Sequence, residues 1–226
     1  MNIINKLKQW AKEGAFARWG IIGSVFVLCA LFIPQIGYSG RQGEAYSLLN
    51  HFVSELGELG VSHLAYVFNI GLFIGGIFYL GFMIGLGIYI KHWLAKLAMI
   101  IGIVTSLCSS LVGVFPMNYL IPHYTVAMGF FFGALITITL FTITILLQKK
   151  QHIPKLFSIA GIFVAVVYTC LLSFTFSGNP SDLSVNFDSR PDIWIFPMLE
   201  WAAILSVVGY LLLISLYVHF TETYTD

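Results

Sequence analysis

The sequence predicts an all-α integral membrane protein with six transmembrane helices, and three observations carry that expectation. Only 9% of the 226 residues are charged while 58% are hydrophobic, against about 25% charged in an ordinary soluble domain. Apolar runs of membrane length recur six times along the chain. Each run is far longer than the roughly ten residues of a barrel strand, and hydrocarbon offers no water to free backbone groups, so helices are the spanning form. With a mean hydropathy of +0.90, the chain reads as a single transmembrane domain, 1–226, with no separate soluble unit.

The spans fall at about 18–36, 64–90, 94–115, 121–147, 154–176 and 193–219, separated by short polar or Pro/Gly-containing stretches. The first run follows Lys6, Lys8, Lys12 and Arg18, but it is long for a signal-peptide core and ends in Ile33-Pro34-Gln35-Ile36 with no small-x-small cleavage pattern. It reads as a retained helix. Orientation follows from the basic residues. A cytoplasmic N-terminus puts Lys6, Lys8, Lys12, Arg18, Lys91, Lys96, Lys149, Lys150 and Lys155 inside, leaving only Arg41 and Arg190 outside. Both termini are therefore expected in the cytoplasm, with the protein multi-pass in the plasma (inner) membrane. Trp10, Trp19, Trp93, Trp194 and Trp201 lie near span ends, as interfacial anchors do.

Composition excludes other classes. Eleven basic against ten acidic residues leave no basic surface for nucleic acid. Cys29, Cys108 and Cys170 each lie in an apolar run with no CxxC spacing, which reads as small core residues. No metal site is expected and no cofactor is indicated. Neither an internal repeat nor an inverted pair of broken helices is evident.

The first outer loop, 37–63, carries Ala45, Leu48, Leu49, Phe52, Val53, Leu56 and Leu59 at helical spacing, which predicts an amphipathic interfacial helix. Ser47, Asn50, His51, Ser54, Glu55 and Glu58 would form its other face. That face either meets water or turns Ser54 and Glu55 toward a cavity, with Gly57 ending the helix. Glu200, about seven residues into the last span, is costly at that depth. It is either a hydrogen-bonded structural carboxyl or a functional acid, with Arg190, His123 or the first loop as partner. Asn118 and His123 share the same outer boundary, and His123 is either structural or a base, proton carrier or metal ligand.

Together these residues make a candidate outward site. Ser54, Glu55, His123 and Glu200 are the catalytic candidates, and His51, Asn118 and Arg190 the substrate-binding ones. Asp182, Asp188, Arg190 and Asp192 would form a lid. A hydroxyl, an imidazole and carboxylates suit hydrolysis or the binding of a lipid headgroup alike. In the second span Gly71, Gly75, Gly81 and Gly85 share one face, with Gly129 and Gly133 of the fourth as a candidate counterpart, within one bundle or across a homodimer.

The stretch Asn50-His51-Phe52-Val53-Ser54-Glu55-Leu56-Gly57, then Phe68-Asn69 before a glycine-rich helix, then Gly113-Val114-Phe115-Pro116-Met117-Asn118 and His123, resembles a known family. It is the prokaryotic six-span membrane family of domain of unknown function 998, and the resemblance covers about 15–219. That family is in turn distantly similar to the eukaryotic Frag1/DRAM/Sfk1 membrane proteins, some of which are linked to lipid remodelling. The resemblance implies a lipid-related role on the non-cytoplasmic side, carried by Ser54, Glu55, Gly57, Pro116, Asn118 and His123. Glu200 is outside the motif. Membrane lipids are the expected partners, and lipid recognition or hydrolase-like lipid modification the expected function. A small-solute or proton-coupled transporter, with Glu200 titrating, and a non-catalytic scaffold are the alternatives.

Overall fold

A computed structural model of the chain describes residues 2–149, 152–177 and 190–223. Among these, seven α-helices form: α1 (Ile3–Lys12), α2 (Ala17–Phe32), α3 (Ala65–Tyr89), α4 (Trp93–Val114), α5 (Leu120–Leu147), α6 (Phe157–Ser177) and α7 (Ile195–Thr223). Six spans are long and apolar enough to cross a membrane: Ala17–Gly37, Ala65–Tyr89, Trp93–Val114, Leu120–Leu147, Phe157–Ser177 and Ile195–Glu222. They agree with the six apolar runs to within a few residues, because in hydrocarbon the length of an apolar stretch is the length of the helix.

Consecutive helices pack side by side from α2 to α7, and α7 returns to α2, so the spans close into a ring. Each span crosses back from the side where the one before it ended, so consecutive spans run antiparallel. Tyr168, Tyr210, Phe82, Phe141, Leu86 and Ile145 are among the fully buried side chains. Glycines set the closest approaches. A Cβ at Gly71 or Gly75 would stand 2.7 Å from Ala30 or 2.6 Å from Val27, so this face of α3 is filled by α2. The candidate counterpart is corrected: Gly129 and Gly133 face Cys108 and Thr105 of α4. Adjacent helices claim these faces first, since α4 lies between α3 and α5 in the ring.

Three other expectations change. α1 had not been anticipated, although Ile3, Ile4, Leu7, Trp10 and Ala11 have helical spacing. Cys29 and Cys170 are exposed on the outer surface of the bundle, where the solvent is hydrocarbon and an apolar residue need not be core. Trp201 is no interfacial anchor: it is 3% exposed, and its indole N–H donates to the Tyr46 hydroxyl at 3.0 Å.

The largest correction concerns the first loop. No α-helix forms across 38–62; these residues fold into a turn-rich cap containing one 3-10 helix, Val53–Gly57. The two expected faces are not kept apart: Phe52, Val53 and Leu56 of the apolar face are buried, but the rest of the pattern fails. Ala45, Leu48, Leu49 and Leu59 are exposed, whereas His51, Glu55 and Glu58 are buried. Isolated turns, such as the His51 N–H to the Ser47 carbonyl at 3.0 Å, and tertiary partners satisfy this segment in place of a continuous helical ladder. The base of the cap is clasped by the Ser39 N–H to the Val61 carbonyl at 3.3 Å and the His63 N–H to the Gly37 carbonyl at 3.0 Å. Gly57 does not end a helix in the left-handed region, where Gly60 stands instead with φ +90°. Gly57 is required by closeness, since a Cβ there would meet Phe68 and Asn69 at 2.5 Å.

Candidate functional site

The cap sits over the end of the bundle where α3, α5 and α7 begin, and the polar candidates separate into two groups there. The first group builds the cap. Glu55 is 0% exposed, and its carboxylate accepts from four donors: the Phe52 N–H at 2.8 Å, the Tyr38 hydroxyl at 3.0 Å, and both ends of the Arg190 guanidinium at 3.1 and 3.0 Å. Both oxygens are saturated, which is the condition under which a buried charge pair is tolerated. Arg190 also donates to the Asn50 carbonyl at 3.1 Å, so the segment before α7 is tied to the cap from two sides.

The electrostatics follow. Burial, then the charge and hydrogen bond of Glu55, push the Tyr38 hydroxyl well above its usual range, so it acts only as a donor. Burial works against the Arg190 charge, but Glu55, Tyr38 and Glu44 outweigh it and raise its pKa. His51 packs edge-on against Tyr38 at 5.3 Å between ring centroids and is 2% exposed. Burial, with Arg190 nearby, lowers its pKa against the opposing pull of Glu55, so it is neutral in the fold.

Asn118 lies apart from this cluster. Its side-chain amide clips the backbone of Leu59, accepting from the N–H at 2.8 Å and donating to the carbonyl at 3.0 Å. The Asn69 amide donates to the Gly57 carbonyl at 2.9 Å. Gly113 is the point where α4 meets the Asn69 carbonyl, with room for no Cβ. Most residues of the sequence motif are thus fasteners between cap and bundle. Arg190 belongs to the cap, Asp192 is exposed, and Asp182 and Asp188 lie outside the described residues.

The second group faces inward. Ser54, His123 and Glu200 line one cavity of about 80 Å³, together with Val53, Phe68, Leu72, Tyr79 and Met83 and residues of α2, α4, α5 and α7. Its walls run from Phe68 to Met83 on α3, about 22 Å at 1.5 Å per residue. The chamber is therefore long and narrow. Glu200 Oε2 accepts the Val53 N–H at 2.8 Å, supplying the first N–H of the 3-10 helix with the partner it lacks within that helix. The partner of Glu200 is thus the first loop, through its backbone. His123 Nδ1 lies 2.8 Å from the Phe115 carbonyl. A carbonyl only accepts, so Nδ1 carries the proton and Nε2 is left as an acceptor. Ser54 donates to the Met117 sulfur at 3.5 Å.

Glu55 is therefore not part of the chamber, while Ser54, His123 and Glu200 are. Among the described residues no group of three His, Cys, Asp or Glu is placed to hold a metal ion. Residues not anticipated as site builders are Tyr38, Tyr46 and Trp201, which carry the cap, and the apolar wall. Their only signal in the sequence is that aromatic residues crowd both regions, and pattern alone does not assign them to a cavity.

Comparison with known families gives a match over most of the chain. The model of a family described as a protein of unknown function (DUF998) matches residues 26–217. No curated protein and no solved structure matches the chain.

Proposed function

This chain belongs to the DUF998 family, and from that premise we propose that it is a multi-pass membrane protein that recognises a lipid in the chamber beneath its cap. Shape and chemistry of the chamber together support this reading. An apolar slot with a polar end suits an alkyl chain carrying a headgroup, and it suits a compact polar solute poorly. We take the membrane to be the plasma membrane and the cap to face away from the cytoplasm, on the distribution of Lys and Arg.

Recognition fits the geometry better than hydrolysis does. A serine nucleophile needs an imidazole nitrogen within hydrogen-bond reach, whereas the Ser54 hydroxyl donates to the Met117 sulfur and makes no hydrogen bond to His123. Transport has less support. The chamber lining stops at Met83, Ile138 and Leu211, and beyond it the fully or nearly fully buried Leu86, Phe141, Ile145 and Ile214 close the bundle around the scattered hydroxyls of Thr142, Thr144, Ser158 and Ser215.

The test uses protein purified in a mild detergent, with bound lipid counted by native mass spectrometry. Wild type is expected to retain lipid, and Ala134→Phe, which fills the chamber wall, to lose it at least about tenfold with the helical content unchanged. Equal lipid on both proteins would defeat the proposal. Incubation with labelled phospholipid adds a second arm, because turnover that disappears in Ser54→Ala would convert recognition into hydrolysis.

A further inference from the structure

The polar end of the chamber has an imbalance that points to the chemistry of the headgroup. Glu200 is 9% exposed and His123 8%, so both are nine-tenths buried. Glu200 Oε2 is bonded to the Val53 N–H, but Oε1 has no hydrogen-bonding partner among the described residues. The same holds for Nε2 of His123, whose other nitrogen is taken. The Ser109 hydroxyl, on the wall of the same cavity, also has no partner among the described residues. With Glu200 ionised, all three atoms can accept a hydrogen bond.

No lysine or arginine lines the cavity. The arginines of the cap are engaged elsewhere, Arg190 with Glu55 at 3.0 Å and Arg41 with Glu58 at 2.7 Å. A carboxyl in an apolar chamber needs a proton or a cation. An anionic head would add repulsion to acceptors that already lack donors. A primary ammonium brings a charge opposite to that of Glu200 and three N–H donors to a cavity whose open polar atoms can accept.

Resting on the lipid reading above, we infer that the polar end of the chamber binds a primary ammonium at the head of an alkyl-chain amphiphile. Glu200 is its counter-charge, and His123 and Ser109 orient it. Two sources share this chemistry, an aminophospholipid of the bilayer and a free single-chain amine.

Three single-chain probes of equal length, dodecylamine, dodecanol and dodecanoate, compete with bound fluorescent phospholipid on wild-type protein in a nonionic detergent. The amine is expected to displace it at a concentration about ten to a hundred times lower than the carboxylate, as charge-assisted hydrogen bonds to a buried group imply, with the alcohol between. Glu200→Gln should collapse the difference. In nanodiscs, preference for phosphatidylethanolamine over phosphatidylcholine assigns the bilayer source, and its absence alongside amine selectivity assigns the free amine. Equal displacement by amine and carboxylate overturns the headgroup inference and leaves the lipid reading standing. Failure of the phospholipid to bind wild type at all overturns that reading first. The wild-type series decides the question even where Glu200→Gln does not fold.

Discussion

Glu55 and Glu200 approach the same strip of backbone, Phe52 and Val53, from opposite sides, and their surroundings could hardly differ more. Glu55 accepts four hydrogen bonds, two of them from a bidentate arginine. Glu200 has one backbone donor and a cavity. A saturated acid holds structure together; an acid with an oxygen left open is a place for something else to bind. Both carboxyls are buried, Glu55 at 0% and Glu200 at 9% exposure, so the main distinction lies in how many donors surround each.

The largest effect should come from breaking the saturated pair. Glu55→Ala is expected to cost about 3–5 kcal/mol, because it takes from the largely buried Arg190 its bidentate partner and leaves only the more distant Glu44 carboxylate at 3.7 Å. Arg190→Ala should cost a similar amount, and the double variant much less than the sum. Denaturant unfolding in detergent measures this; additive losses would mean that the two residues act separately. Next comes Gly113→Ala, whose Cβ would stand 2.2 Å from the Asn69 carbonyl oxygen. A backbone atom cannot step aside as a side chain can, so a loss of about 1–3 kcal/mol is expected in the same assay.

Glu200→Gln sharpens the contrast from the other side. The amide keeps an acceptor for the Val53 N–H, so stability should change by less than about 1 kcal/mol while lipid retention falls. A large stability loss with unaltered lipid binding would make Glu200 a second structural acid and erase the distinction. The smallest effect concerns pH. The His51 pKa is lowered in the fold by burial, below an unfolded value of about 6.5. The folded state then binds fewer protons, so this contribution is present above about pH 6.5 and is lost as pH falls through that value toward the folded pKa. Thermal unfolding between pH 7.5 and 5 should show a decline that His51→Phe reduces.

The bundle was legible residue by residue. Six apolar runs became six spans because the bilayer leaves a long apolar segment no other backbone solution. The chamber was half legible: depth marked Glu200, and the boundary Pro122-His123 marked the imidazole, but Glu55 was grouped with them by adjacency to Ser54. The 3-10 helix Val53–Gly57 sends those two neighbours to different sides. Periodicity also misread 45–59, because apolar residues at helical spacing do not make a helix where the polar ones between them have better partners elsewhere. Asn118 bonds the Leu59 backbone and Gly57 lets the cap approach Phe68 and Asn69, so both fasten the cap to the bundle.

By itself the sequence determined that the chain is a membrane-spanning helical protein, how many spans it has and where they lie, since hydrophobicity and length are local properties that the bilayer reads directly. Only the tertiary structure decided which carboxyl is satisfied and which is left open, which side of the cap each residue occupies, and that an apolar slot lies beneath it. Those facts depend on donors and walls brought from far along the chain: Arg190 lies 135 residues from Glu55, and Val53 lies 147 from Glu200. No pattern within one segment contains them.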